Sequence, residues 1–211
     1  FVGTASPAFS ARFAAIADYD ADTRPDVLAG ADGLSLYTGG DTKTPTIPFS
    51  TPAGFAAQGA VFGDIDNDGA ADLVLSGAGG ILIYRAENQT GQWAEAVTLP
   101  VAATGAVFGD ADHDGDLDLL TLGSRVHLLA NDGEGHFTDI SAQAGFATAA
   151  SHATFTDFDN DRDVDIVLLS TEGIQVHTNN RDGTFAEISG ALNLDRAKGR
   201  GLAVEDFDQD G

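Results

Sequence analysis

The stretch Asp64-Ile65-Asp66-Asn67-Asp68-Gly69-Ala70-Ala71-Asp72 carries carboxylates at its first, third, fifth and ninth positions. Anionic side chains this close repel one another, at ~4 kcal/mol for a contact pair in an effective dielectric of about 20, so a cation is expected among them. In a tightly curled loop alternate side chains point to a common centre, and the glycine at position 6 lets the backbone turn and bring the Ala70 carbonyl round. An all-oxygen donor set suits a hard divalent ion. Calcium is favoured over magnesium, which demands near-octahedral geometry and gives up its water reluctantly.

The same spacing begins at Asp18, Asp64, Asp110, Asp157 and Asp206, so successive copies lie 46, 46, 47 and 49 residues apart. That period is in the range of four-stranded propeller blades. Each loop is preceded by a short apolar segment, such as Gly59-Ala-Val-Phe-Gly63 or Gly105-Ala-Val-Phe-Gly109, expected to be a strand buried on both faces. A second strand follows each loop: Asp26 to Gly30, Asp72 to Gly77, Asp118 to Gly123 and Asp165 to Ser170. Third strands are read at Leu34 to Tyr37, Ile81 to Tyr84, Val126 to Leu129 and Ile174 to His177. Turns rich in Asn, Asp and Gly come next at 131–135 and 179–183, and the shared Phe-x-x-Ile of Phe137 to Ile140 and Phe185 to Ile188 opens a fourth strand. The Ala- and Gly-rich segment 142–153 links one blade to the next, and no helix is needed. The expected fold is therefore all-β, a β-propeller of four-stranded blades over residues 1–211, forming part of a ring of about six to eight blades. The last copy, with Asp206, Asp208 and Asp210, stops before its ninth position, so the chain is expected to be part of a longer protein.

The succession apolar-Phe-Gly-Asp-x-Asp-x-Asp-Gly-x-x-Asp-Leu, at Phe62 to Leu73 and Phe108 to Leu119, resembles the FG-GAP/VCBS repeats of integrin-like β-propellers. The resemblance implies that each nonamer joins the first two strands of a blade and binds calcium, one ion per complete loop and about four in all, with a fifth site begun at the chain end. It implies these ligands: Asp64, Asp66, Asp68, the Ala70 carbonyl and Asp72; Asp110, Asp112, Asp114, the Asp116 carbonyl and Asp118. Likewise it implies Asp157, Asp159, Asp161, the Asp163 carbonyl and Asp165; Asp18, Asp20, Asp22, the Arg24 carbonyl and Asp26. Two loops depart from the pattern. Arg162 replaces the position-6 glycine, which costs on the order of 1 kcal/mol if a left-handed backbone is required there. Thr23 and Pro25 hold positions 6 and 8 of the first loop, which is expected to be distorted and to bind last, after the Asp64 and Asp110 loops and then Asp157. An EF-hand is excluded, since its position 12 must be a bidentate Glu and is Leu75 or Thr121 here. Solvated acidic turns without metal are the bland alternative, and identical spacing in five copies argues against it.

A net charge of -23, from 33 acidic and 10 basic residues, argues against nucleic acid or an anionic membrane as partner. With 43% hydrophobic residues the chain has the composition of a folded protein. No cysteine is present, which excludes disulfides and zinc-thiolate sites. No apolar run is long enough to span a bilayer, and millimolar calcium points to an extracellular, periplasmic or cell-surface setting. The five histidines show no ligand spacing; His127 and His177 are read as equivalent positions on one blade face, and His113 as a non-ligand inside a metal loop. No nucleophile elbow or phosphate loop occurs, so the chain is read as non-catalytic. The insert 85–93 contains the sequon Asn88-Gln-Thr90 and the single tryptophan, Trp93, read as an outer-strand core residue. The resulting expectation is a calcium-stabilised extracellular binding, adhesion or assembly module whose partner is protein or carbohydrate. Its alternative is an accessory propeller domain of a secreted hydrolase or lyase.

Overall fold

The computed structural model describes residues 11–31, 33–39, 41–46, 50–86, 92–94, 97–194 and 196–205, with backbone alone over 41–46. The fifth acidic copy at Asp206, Asp208 and Asp210, and most of the 85–93 insert with its sequon, lie outside these residues.

Among the described residues, four antiparallel sheets of four strands each follow one another along the chain, and within each sheet spatial order equals chain order. The first blade is β1 (Phe13–Ala17), β2 (Asp26–Gly30), β3 (Leu34–Thr38) and β4 (Asp41–Thr46). The second is β5 (Ala57–Gly63), β6 (Asp72–Gly77), β7 (Gly80–Tyr84) and β8 (Val97–Leu99). The third is β9 (Gly105–Gly109), β10 (Asp118–Leu122), β11 (His127–Asn131) and β12 (Phe137–Asp139). The fourth is β13 (Ala150–Thr156), β14 (Asp165–Ser170), β15 (Ile174–Asn179) and β16 (Phe185–Glu187). Each acidic loop is the hairpin connection between the first two strands, with Asp72 opposite Gly63 and Asp118 opposite Gly109 in the ladders. Pro45 falls in β4, an edge strand where a missing N–H is tolerated.

The core lies between blades. In β6, Leu73 and Leu75 turn toward Leu28 and Leu36 of the first blade, while Val74 between them packs with Leu119 and Leu129 of the third. In β10, Leu120 and Leu122 join Ile166 and Leu168 of the fourth. Side chains alternate across a strand, so a continuous apolar run serves two neighbours at once. This is why β6 and β10 are buried throughout and β2 and β14 nearly so. The first strands differ from expectation: β5 and β9 are mostly half-buried, because they are the sheet edges that approach one another from blade to blade.

Two further corrections concern local structure. Short helices α1 (Ser141–Ala144) and α2 (Ser189–Leu192) follow the fourth strands of the last two blades. Each starts at a serine that ties back to its own blade: the Leu128 and Val176 amides donate to the Ser141 and Ser189 hydroxyls. Asp139 and Glu187 in turn accept from the Ser141 and Ser189 amides. The repeated Asp/Glu-Ile-Ser was the available signal. His127 and His177 are not equivalent. His127 lies opposite Thr121, whereas His177 lies opposite Ile166 and so corresponds to Leu129. Trp93 packs as expected, with its ring centroid 5.0 Å from Tyr19 of the first loop and 6.3 Å from Phe62.

Candidate metal centre

All four described loops share one backbone path. Position 6 has positive φ in each, at Thr23 (71°), Gly69 (84°), Gly115 (95°) and Arg162 (77°). So does position 4, at Ala21 (57°), Asn67 (56°), His113 (65°) and Asn160 (59°). The second kink was not read from the sequence, although asparagine at two of its four occurrences is the residue type that tolerates it. Thr23 and Pro25 do not distort the first loop's backbone: the position-5 and position-6 amides, Asp22 and Thr23, bond Asp18 there as Asp68 and Gly69 bond Asp64 in the second loop.

Position 9 closes each loop. Asp72 is fully buried, accepting from the Ile65 amide at 2.8 Å and the Ala86 amide at 2.7 Å. Asp118 does the same for Ala111 and Asn131, Asp165 for Phe158 and Asn179, and Asp26 for Tyr19 and Gly39. One carboxylate thereby pins the loop start and the chain at or just beyond the end of the third strand. Burial pushes the Asp72 and Asp118 carboxyls up to about 6; the two amides oppose this, and acidic neighbours add to the rise. Asp20, Asp112 and Asp159 at position 3 are raised as well, first by desolvation and then by the surrounding carboxylates.

The chain brings together one carboxylate group per blade. Asp64, Asp66 and Asp72 each offer an oxygen within 4.8 Å of the others, as do Asp110, Asp112 and Asp118, and Asp157, Asp159 and Asp165. In the first loop the group is Asp18, Asp20 and Asp22, without Asp26. Oxygens so spaced can surround one point at the 2.3–2.6 Å typical of calcium. Asp66 Oδ1 and Asp110 Oδ1 are buried with no hydrogen-bond partner, which is costly unless a cation satisfies them. These residues fit a metal ion. Asp68, Asp114 and Asp161 at position 5 stand outside these groups and accept from the amides of Ala70, Asp116 and Asp163; Asp22 likewise accepts from Arg24. A further exposed trio, Asp132, Glu134 and His136, gathers in the turn between β11 and β12.

A family model described as an FG-GAP-like repeat matches residues 18–75, 64–121 and 157–211. The chain belongs to the FG-GAP-like repeat family. Among solved structures, this FG-GAP chain is similar to an Agrocybe aegerita lectin described for specific recognition of non-reducing terminal N-acetylglucosamine. The two are 20% identical with a TM-score of 0.57, over 81% of this chain and 50% of the lectin, a likeness in fold. BBS1N in complex with ARL6DN, soaked with lead, is similar at 13% identity and a TM-score of 0.36, over 82% of this chain and 66% of that one. The chain thus spans half to two thirds of these structures' lengths. No curated protein matches it.

The links between loops were also missed in the sequence. Asn67 Nδ2 donates to Asp116 Oδ1 at 2.5 Å, one blade on. His113 Nε2 lies 2.9 Å from both the Arg162 carbonyl and Asp163 Oδ1. Asn131 and Asn179 reach back instead, donating to the Ile65 and Ala111 carbonyls of the preceding blade at 2.8 Å. Arg181 pairs with Asp163 and donates to the Asp161 carbonyl. The only sequence signal for the forward links is a polar side chain at position 4 of one loop and an acid at position 7 of the next.

Proposed function

We propose that this FG-GAP array is a calcium-stabilised propeller on the extracellular, periplasmic or cell-surface side, acting as a binding, adhesion or assembly module. The observation that carries the reading is the recurrence of the carboxylate group at the same place in every described blade. A site made four times over fastens each first hairpin; it is not the asymmetric single centre that catalysis requires. Calcium is the ion this donor set suits: the side chains grouped in the four described loops are all aspartates. When bound, the ion would be held by the carboxylates at positions 1, 3, 5 and 9 and the carbonyl at position 7, and would neutralise a charge that burial otherwise disfavours.

With the metal loops at one end of the blades, the other end is left for a partner. There a cavity of about 860 Å³ opens between the first two blades, with Arg12, Thr51, Phe55, Gln58 and Thr104 in its wall. An aromatic ring beside polar side chains suits a carbohydrate or a protein loop, and the lectin that shares the fold makes a terminal sugar the first ligand to try. The test of the fastening role is calorimetry of the chain in calcium and after metal stripping. Binding to the folded state alone adds RT ln(1 + [L]/Kd) per site, so the melting temperature should rise with calcium across the millimolar range. Identical melting curves in the two conditions would overturn the reading.

A further inference from the structure

The loops are joined in series. Asn67 is position 4 of the second loop, and its amide grips the carboxylate of Asp116, position 7 of the third. His113 is position 4 of the third, and its Nε2, facing two acceptors, carries the proton toward Asp163, position 7 of the fourth. Both holders sit at left-handed backbone positions between the aspartates at positions 3 and 5 of their own loops. Both held residues have amides fixed by their own position-5 carboxylates, at 3.0 Å in each case. Asp163 itself is nearly inaccessible while the His113 ring is half exposed, and Arg181 of the same blade pairs with the same carboxylate. The first and second loops have no counterpart: position 4 of the first is Ala21 and position 7 of the second is Ala70, and neither side chain can make the link.

We propose that Asn67 and His113 are positioning residues that couple cation binding in one loop to cation binding in the next, so that the second, third and fourth loops fill as a linked series while the first fills independently. This rests on the calcium reading above. An ion held by the carboxylates at positions 1, 3 and 9 would fix the loop that carries the position-4 residue, whose side chain holds position 7 of the neighbour, where the resemblance places a ligand carbonyl. The neighbour's ordering cost is met before its own ion arrives, and by linkage the effect is reciprocal.

Calcium titration of the full chain followed by amide NMR tests this, with Gly69 reporting the second loop, Gly115 the third and Arg162 the fourth. Silencing the second loop with Asp64→Asn should raise the calcium needed to half-shift Gly115 by about fivefold, within the usual range of coupling. In Asn67→Gly, which keeps the left-handed backbone accessible, the same silencing should leave Gly115 unchanged. For the next pair, Asp110→Asn should weaken the Arg162 response in the parent and in His113→Gln, which retains a donor, but not in His113→Gly. Asp18→Asn should leave Gly69 unaffected, and the pair Ala21→Asn with Ala70→Asp should create that dependence. A Gly115 response indifferent to Asp64→Asn, or equally sensitive with and without Asn67, would overturn the coupling while leaving the calcium reading in place. If none of the three amides responds to calcium, both fall together.

Discussion

The position-9 aspartate does two jobs that mutation can separate. Asp72 is buried and takes two backbone amides, Ile65 and Ala86, that have no water to turn to if it is removed. Each buried unsatisfied group costs about 1–3 kcal/mol, so Asp72→Ala should destabilise the chain by about 2–4 kcal/mol in urea unfolding even after metal stripping. Asp68 is exposed and accepts one amide, which an asparagine carbonyl can still accept. Asp68→Asn should therefore stay within about 0.5 kcal/mol of the parent without metal and lose only part of the gain that calcium brings. If Asp72→Ala matched Asp68→Asn in metal-free urea curves, the closing role assigned to position 9 would be wrong. From sequence both residues read alike, as ligands. Burial, which only neighbouring blades create, tells them apart.

At the scale of the strand, the Phe-Gly pair before the second and third loops, Phe62-Gly63 and Phe108-Gly109, has its explanation in the next blade. A Cβ on Gly109 would lie 2.3 Å from the Phe155 ring of the fourth blade, and one on Gly63 would lie 2.8 Å from Phe108 of the third. The glycine is thus the floor on which the following blade's phenylalanine rests. Gly109→Ala should cost about 1–3 kcal/mol, as overpacking does. The same change in a Phe155→Ala background should cost at least about 1 kcal/mol less, since residues in contact are not additive. Additive costs in the double-mutant cycle would mean that the ring and the glycine do not meet. Strand placement itself was legible from the short apolar runs on either side of each loop and the turn residues. The half-exposed first strands were not, because an apolar run of five looks the same in a buried strand as at a blade edge.

For the whole molecule the dominant quantity is charge, -23 over 211 residues, concentrated at the loop ends of the blades. Asp72 and Asp118 hold protons more tightly folded than unfolded, with carboxyls raised to about 6 against an ordinary value of 3.8. A carboxyl raised by folding stabilises at low pH, and that stability is lost as pH rises through its folded value. Their contribution in the stripped chain therefore falls from about pH 4 to pH 6 and stays low above it. Loop repulsion acts in the same sense. The metal-free melting temperature should be higher at pH 5 than at pH 7, and calcium should close or reverse that gap because protons then compete with the ion. A stripped chain that melts lower at pH 5 would show that His177, whose protonated form burial disfavours, outweighs the loops as pH falls.

The sequence by itself determined the repeat, its four-stranded unit, the site of each acidic loop and the turn residues between strands. These depend on interactions within a few residues, where backbone geometry and charge repulsion act directly and leave a period that can be counted. Only the tertiary structure decided which carboxylates are buried, that Asn67 and His113 hold the next loop, and that Asn131 and Asn179 hold the preceding one. Those contacts join residues about 50 to 70 positions apart, and they exist because blades pack side by side, bringing position 4 of one loop against position 7 of the next and the end of a third strand against position 2 of the preceding loop.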